Sequence, residues 1–320
     1  MLTRRSLIAA LSGWCVVASG TSRAAAAGPM PKTPVAFEVP RGACDTHVHV
    51  IGEPAKFPMS PDRDATPLPA TAEQLRQMLQ FLHLDRVVIV TPDVYGTDNS
   101  ATLAAIRWLG QARARGVAWV ADDTPSEALE RLRTLGITGI RVSLNQGETS
   151  TPAVAEKRLQ ALFELTKRYD WHLEAAMPPE VVAALAGTLT AAPVPVVLHT
   201  FGWVEGGIQQ SGFDAVLALV KSGRIYVKLS EPYRLSKEGP DYPDLAPVAH
   251  ALVAANPDRL LWGSGWPYLS GRAPGRTKDD PAPPLPVDAG QLLNAFSRWV
   301  PDGPTRHKIL VDNPARLYRF

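Results

Sequence analysis

The chain has little cysteine, no excess of charge of either sign and no long hydrophobic run. Its two cysteines are Cys15 and Cys44. Cys15 lies in a predicted export signal, so the mature chain would hold one cysteine and no internal disulfide. The formal net charge is +2 and no basic stripe is present, which excludes nucleic acid as a predicted partner. The apolar run at residues 7–18 is shorter than the roughly 20 residues that span a bilayer, so we predict no stable membrane span after signal cleavage.

The N-terminus carries the pattern of a targeting segment. Arg4 and Arg5 precede the apolar run, and "SRAAAAG" offers small residues for a signal peptidase near Ala26 or Ala27. This resembles a twin-arginine export signal, and an N-terminal membrane anchor is the alternative. We therefore predict a signal peptide at residues 1–27, a proline-rich lead at 28–42, one domain at 43–320 and a periplasmic location.

After the lead, strand-like and helix-like segments alternate. The predicted strands cover residues 43–51, 86–92, 117–122, 137–144, 171–177, 194–200, 225–230 and 259–265. The predicted helices cover residues 71–83, 99–115, 126–135, 152–169, 179–189, 213–223 and 245–255, followed by a helical tail. Eight such units favour an α/β fold of the (β/α)8 (TIM) barrel type. A doubly wound sheet would be supported by a glycine fingerprint after an early strand, and the sequence has none.

Two features mark the predicted mouth of this barrel. "DTHVHV" places His47 and His49 two residues apart on the first strand, so both point to one face. Two neutral imidazoles there can share a metal ion or polarise a carbonyl oxygen. Residues 270–288, "SGRAPGRTKDDPAPPLPVD", are too rich in proline and glycine for a helix and predict a long loop over the mouth.

Several motifs resemble one family. "GACDTHVHVIGEPAKFPMSPDR", "GIRVSL", "VKLSEPYRLS", "LLWGSGWPY" and "VDNPARLY" occur in the order found in the 2-pyrone-4,6-dicarboxylate lactonase-like branch of the amidohydrolase superfamily. The resemblance implies the barrel and the hydrolysis of a lactone or a related carbonyl compound. It also implies that some members work without a tightly bound metal, and that a related group isomerises sugar-acid lactones.

Transferred residue by residue, the resemblance assigns three cationic side chains to a small anionic organic substrate. Arg141 in "GIRVSL" and Arg234 in "EPYRLS" match arginines that hold a substrate carboxylate. A guanidinium suits this task because it can donate two parallel hydrogen bonds. Lys228 in "YVKLS" is a further candidate, with a paired lysine inside the barrel as the alternative.

The sequence departs from the family in three places. Family members usually carry an aspartate after the eighth strand, and the same frame here gives Gly265. After the sixth strand, "LHTFG" places Thr200 where the family has histidine and His199 where it has aspartate, unless an irregular backbone shifts the register. Ala65 stands where a tyrosine is expected. A carboxylate from Asp279, Asp280 or Glu231 could replace the missing aspartate.

These features predict a hydrolase that acts on a carboxylated, lactone-like small molecule. His47 and His49 would polarise the carbonyl group, and His199 would be the general base. We expect no tightly bound cofactor, and any divalent metal, such as zinc, would be bound weakly by His47 and His49. Because of Gly265, a ligand-binding barrel without catalysis and a lactone isomerase are the alternatives.

Overall fold

Eight parallel strands form a nearly closed barrel in the computed structural model, which describes residues 28–145 and 147–320. The strands are β1 (Cys44–Val48), β2 (Arg86–Val90), β3 (Ala114–Ala118), β4 (Ile137–Ser143), β5 (His172–Ala176), β6 (Val196–Leu198), β7 (Ile225–Ser230) and β8 (Leu260–Gly263). Each strand pairs with the next one along the chain. Most residues of these strands are buried. Both faces of the sheet are therefore covered, the outer face by helices and the inner face by side chains that fill the barrel. The predicted (β/α)8 barrel is confirmed.

The seam between β8 and β1 depends on a glycine. A Cβ atom at Gly263 would lie 2.6 Å from the Cβ of His47, which is closer than real side chains approach. Hydrogen bonds cross the seam: Thr46 Oγ1 donates to the Trp262 carbonyl at 2.7 Å, for example, and the Gly265 amide donates to the His47 carbonyl at 2.8 Å. The seam therefore holds His47 against the turn that follows β8.

Helices cover the outside of the barrel. They are α1 (Ala72–Phe81), α2 (Ser100–Leu109), α3 (Ser126–Thr134), α4 (Pro152–Arg168), α5 (Pro179–Ala184), α6 (Ala186–Thr190), α7 (Phe213–Lys221), α8 (Ala246–Ala255), α9 (Ala289–Trp299), α10 (Gly303–His307) and α11 (Asn313–Tyr318). The helix predicted at 99–115 ends at Leu109, because Gly110 takes a left-handed φ of 85°. The chain therefore enters β3 earlier than the predicted strand at 117–122. No helix among the described residues is long and apolar enough to cross a membrane.

The C-terminus fills the N-terminal end of the barrel. Tyr318 packs edge-on against His172, the first residue of β5, with ring centroids 5.1 Å apart. Its neighbour Leu317 joins a buried cluster of strand residues that includes Cys44 and Leu261. With this end filled, the opposite end, where the strands terminate, is left for a binding site.

Two loops meet at that open end. Residues 270–288 contain a two-residue strand, Pro281–Ala282, which pairs with Thr66–Pro67. Thr66 Oγ1 also donates to the Lys278 carbonyl at 2.7 Å, and Arg63 forms an ion pair with Asp279. The two loops therefore support each other beside the mouth of the barrel. The predicted signal peptide, residues 1–27, lies outside the described residues.

Candidate active site

A cavity of about 440 Å³ opens where the barrel strands end. Its wall contains His47, His49, Arg141, His199, Glu231 and Arg234, together with Asp62, Arg63, Asp64, Ala65, Asp93, Asn145, Trp203 and Ser270 among others. The structure thus gathers the predicted site residues in one place, except for Lys228, which lies beneath the wall. Arg63, Asp93 and Trp203 are lining residues that the sequence analysis did not identify. In the sequence, only their positions could have identified them as lining residues, because each lies shortly after a strand or in the loop after β1.

Three histidines meet in this wall. The ring centroids of His47 and His49 are 5.1 Å apart, and those of His47 and His199 are 5.4 Å apart with the planes stacked. All three side chains are almost fully buried. His49 Nδ1 lies 2.7 Å from the Val90 carbonyl. Because a carbonyl only accepts hydrogen bonds, the network assigns the His49 proton to Nδ1 and leaves Nε2 as an acceptor.

An irregular backbone brings His199 into the cavity. Directly after it, Thr200, Phe201, Gly202 and Trp203 all have positive φ, at 53°, 52°, 67° and 58°. This run of left-handed residues replaces the strand geometry and places the Thr200 side chain below His199 rather than on the opposite face. His199 Nε2 is buried without a hydrogen-bond partner. Of the two residues in "LHTFG" that could enter the site, His199 lines the cavity and Thr200 is not among the lining residues.

Lys228 holds His47 from below. Its Nζ, fully buried, donates to Glu174 Oε2 at 2.5 Å and to the Thr46 carbonyl at 2.8 Å, and it lies 3.3 Å from His47 Nδ1. His47 Nδ1 lies 3.3 Å from the Lys228 ammonium group, which only donates, and also 3.3 Å from Glu174 Oε1, which only accepts, so these contacts are compatible with either tautomer of His47. Lys228 does not belong to the cavity wall formed by the described residues. The expected substrate contact is replaced by a buried lysine that is paired with Glu174 and contacts His47.

Glu231 supplies a carboxylate beside the histidines. It follows β7 directly and takes a left-handed φ of 51°. Its Oε2 accepts from Thr200 Oγ1 at 2.9 Å and lies 3.5 Å from His47 Nε2. Its Oε1 accepts from Arg234 Nε at 2.6 Å. Of the three carboxylates that could replace the missing aspartate, this is the one in the cavity wall.

The other two candidate carboxylates are engaged elsewhere. Asp279 pairs with Arg63, and Asp280 accepts hydrogen bonds from the amide and hydroxyl of Thr277 at 2.8 and 3.0 Å. Both belong to the loop beside the mouth, and neither is part of the cavity wall among the described residues.

Gly265 leaves no room for the aspartate it replaces. Its φ is +75°, and a Cβ atom there would lie 2.3 Å from the Tyr233 hydroxyl and 2.5 Å from Glu231 Cγ. The Tyr233 hydroxyl also lies 3.3 Å from both Glu231 Oε1 and the Gly265 carbonyl oxygen, and its single proton is donated between these two acceptors. The side chain of Glu231 therefore occupies the space that a residue larger than glycine would need at position 265.

The two predicted anion-binding arginines differ in how they are paired. Arg234 is bound to Glu231 and also donates to the Leu269 carbonyl at 3.2 Å. Arg141 lies over the Trp119 ring, 5.3 Å from its centroid, and its Nε is buried without a hydrogen-bond partner. Within residues 28–145 and 147–320, no acidic group forms an ion pair with Arg141. It is therefore a cation in the cavity wall with donors available to a ligand.

Burial and neighbouring charge set the protonation states of the site. Burial lowers the pKa of His49 to about 3 and the pKa of His199 well below its usual value, with nearby positive groups adding to the effect. Burial lowers the pKa of His47 as well. Burial alone would raise the pKa of Glu231, but the positive charge of Arg234 outweighs it and holds that pKa well below its usual value. Near neutral pH the site therefore contains neutral imidazoles and an ionised carboxylate.

His47, His199 and Glu231 could together hold a metal ion. Each offers one donor atom, and these atoms lie within 4.8 Å of one another. Two imidazoles and a carboxylate are donors that zinc accepts, and the unpartnered Nε2 of His199 leaves one nitrogen free for this purpose. The donor set thus fits a divalent cation, although it differs from the expected pair of His47 and His49.

The amidohydrolase family model matches residues 44–320, and the chain belongs to that family. A 4-sulfomuconolactone hydrolase of Rhizobium radiobacter is 34% identical over 91% of this chain and 95% of its own length. A 2-pyrone-4,6-dicarboxylate hydrolase of Comamonas testosteroni is 31% identical over 88% and 92%. A D-galactarolactone isomerase of Agrobacterium fabrum is 29% identical over 88% and 92%. These relatives confirm the predicted branch of the superfamily and the predicted class of enzyme, a hydrolase.

Solved structures agree with this placement. An apo structure from Agrobacterium tumefaciens matches with a TM-score of 0.76 and 27% identity, covering 91% of this chain and 98% of that one. A probable 2-pyrone-4,6-dicarboxylic acid hydrolase from Acinetobacter baumannii, with citric acid bound, matches with a TM-score of 0.69 and 26% identity, covering 87% and 100%. The barrel is thus shared along nearly the whole described chain.

Proposed function

We propose that this protein hydrolyses a small lactone that carries an acidic group. The observation that carries the proposal is the unpaired Arg141 guanidinium in the same cavity wall as three buried histidines. Arg141 is half-buried and has no acidic partner among the described residues, so a ligand that brings an anionic group to it can form a charge-assisted pair there. The relatives named for sulfomuconolactone and pyrone dicarboxylate, and the related structure with bound citric acid, support this ligand class.

The histidine tautomers suggest different roles in the reaction. In the tautomer that carries the proton on Nε2, His47 can donate a hydrogen bond to the lactone carbonyl and to the oxyanion that forms from it. His199 has an unpartnered Nε2 that can accept a proton from water. His49 also presents an acceptor nitrogen, which can orient the water molecule. The acidic group on Arg141 would hold the ring in place.

The steps then balance as an ordinary ester hydrolysis. The water oxygen bonds to the carbonyl carbon while His199 Nε2 takes one water proton. The ring C–O bond breaks, and the ring oxygen receives that proton from His199. The product is an open-chain hydroxy acid. If His47, His199 and Glu231 instead held a divalent cation, the cation would supply polarisation of the carbonyl group, and His199 Nε2 would be a ligand rather than the base.

Lactone isomerisation is the second candidate. The 29% identical relative named as a D-galactarolactone isomerase supports it, and the free Nε2 of His199 could move a proton between two oxygens of a substrate as readily as from water. Isomerisation and hydrolysis are distinguished by their products, because only hydrolysis consumes water and opens the ring.

The test uses a small panel: 4-sulfomuconolactone, 2-pyrone-4,6-dicarboxylate, galactarolactone and neutral esters of the last two. Products are identified by NMR for the wild type, for Arg141→Gln and for Arg107→Gln, a matched change at an exposed arginine on α2. Losing one member of a charge-assisted pair costs about 2–5 kcal/mol, so KM for the best acidic lactone should rise about 30-fold or more in Arg141→Gln. Arg107→Gln should behave as wild type. A panel in which the wild type converts no lactone contradicts the proposal.

A further inference from the structure

Three residues form a continuous hydrogen-bonded chain that leads away from the proposed base. His199 Nδ1 lies 2.8 Å from Thr200 Oγ1, and Thr200 Oγ1 lies 2.9 Å from Glu231 Oε2. All three side chains are buried. The direct distance from His199 Nδ1 to Glu231 Oε2 is 3.9 Å, too long for a hydrogen bond. The carboxylate therefore reaches the imidazole through the threonine hydroxyl.

The direction of each hydrogen bond follows from the groups involved. The Glu231 carboxylate only accepts, so the single hydroxyl proton of Thr200 points to Glu231. With that proton used, Thr200 Oγ1 can only accept from His199, which puts the imidazole proton on Nδ1. Nε2 is then the basic nitrogen, and it is the atom that is buried in the cavity wall without a partner.

The backbone around Thr200 is arranged to keep this geometry. Thr200 takes a φ of 53°, which is uncommon for a β-branched residue, and its amide donates to Ser230 Oγ at 3.1 Å. Glu231 also has a left-handed φ, of 51°. Such conformations are strained and persist where the surroundings determine them. Here both bring their side chains to the same point below His199.

We propose that Thr200 and Glu231 are positioning residues that orient His199 as the general base of this enzyme. Thr200 fixes the tautomer of His199, and the Glu231 carboxylate stabilises the positive charge that the imidazole gains when Nε2 takes the proton of water. The carboxylate thus comes from the end of β7, while the turn after β8 supplies only Gly265. This inference rests on the proposed lactone hydrolysis and names further residues that serve it.

Direct action of Glu231 on the water is less consistent with its contacts. Oε1 already accepts from Arg234 and Tyr233, and Oε2 already accepts from Thr200. A carboxylate saturated in this way holds neighbouring donors in place, whereas His199 Nε2 is free. In acyl-transfer enzymes a carboxylate in the equivalent position holds the imidazole in the correct tautomer and costs about 10⁴ in kcat when it is neutralised.

The experiment compares Thr200→Ser, Thr200→Val and Glu231→Gln with the wild type and with Glu238→Gln, an exposed carboxylate in the same loop. All are assayed on the best acidic lactone of the panel, in chelator, for kcat and KM. Thr200→Ser keeps the hydroxyl, whereas Thr200→Val keeps the shape without it. We expect Thr200→Val and Glu231→Gln to lower kcat by about 10²–10⁴ with little change in KM. Thr200→Ser should recover most of the rate, and Glu238→Gln should match wild type.

The outcomes separate this inference from the proposed function. If the wild type converts no lactone, the proposed function fails and the inference with it. If the wild type is active and Thr200→Val has the same kcat as Thr200→Ser, the function stands and the relay is wrong. The relay is also overturned if wild-type activity disappears in chelator and returns with zinc, because His199 Nε2 would then serve as a metal ligand. Circular dichroism melts of each variant verify that the kinetic changes come from folded protein.

Discussion

Replacing Gly265 with alanine should destabilise the protein far more than the same change at Gly275. The two glycines have nearly the same φ, +75° and +76°. At Gly275 nothing lies within 4 Å of the added Cβ atom, whereas at Gly265 the atom would lie 2.3 Å from the Tyr233 hydroxyl and 2.5 Å from Glu231 Cγ. The pair therefore separates the cost of backbone conformation from the cost of lost space.

The magnitudes follow from these contacts. A left-handed conformation costs an alanine about 1–2 kcal/mol relative to glycine, and both variants carry this term. Overpacking adds about 1–3 kcal/mol at Gly265 alone. Displacing the Tyr233 hydroxyl also breaks the hydrogen bond that its single proton makes to Glu231 or the Gly265 carbonyl, at about 1 kcal/mol. We expect Gly275→Ala to lose about 1–2 kcal/mol of unfolding free energy, and Gly265→Ala to lose about 3–6 kcal/mol.

Urea unfolding at pH 7, followed by circular dichroism, measures both values by linear extrapolation. Tyr233→Phe combined with Gly265→Ala removes the nearest clashing atom and should recover part of the loss. If Gly265→Ala and Gly275→Ala unfold at the same urea concentration, position 265 is not crowded by Glu231 and Tyr233. The account of why this turn carries glycine would then be wrong.

Three further predictions concern other parts of the chain. Lys228→Met leaves Glu174 as a buried carboxylate without its cation, so urea unfolding should show a loss of about 3–5 kcal/mol; an unchanged midpoint would argue against the buried pair. Burial lowers the pKa of His172 to about 4, below its unfolded value of about 6.5. Because the unfolded chain takes up the proton first, the free energy of unfolding should fall by about 3 kcal/mol as the pH drops from 6.5 to 4. His172→Gln should flatten the pH dependence of unfolding over that range, and an unaltered slope would contradict this. N-terminal sequencing of exported protein should find a mature start near Ala27 or Gly28, and retention of residues 1–20 would refute cleavage.

The fold was predictable because its signals are local. Alternating apolar strands and amphipathic helices identify the (β/α)8 barrel, and strand ends identify where a site should lie. The boundary errors also have local causes. The apolar periodicity predicted a helix to residue 115. The helix ends at Leu109, because Gly110 takes a left-handed φ that interrupts helical geometry.

The site was predictable only in part, because its arrangement depends on contacts between distant segments. The first-strand histidines and the two arginines could be found from motifs, and the structure places them together. The position of His199 depends on four successive left-handed residues, three of which are not glycine. No residue pattern in the sequence predicts such a run. That Glu231 lies beside Gly265 and crowds any side chain there is visible only from the structure. A lysine after this strand is a reasonable candidate for a substrate contact. Only the structure shows that the Lys228 ammonium group is buried and contacts Glu174 and His47.

The most direct test of the proposed function is the ratio of kcat/KM for an acidic lactone to that for its neutral methyl ester, measured with wild-type protein. Because Arg141 is a cation in the cavity wall without an acidic partner among the described residues, the acid should be preferred by about 30-fold or more, the value of a charge-assisted pair. The preference should disappear in Arg141→Gln. Equal rates for acid and ester in the wild type would contradict the proposal that Arg141 recognises an anionic lactone.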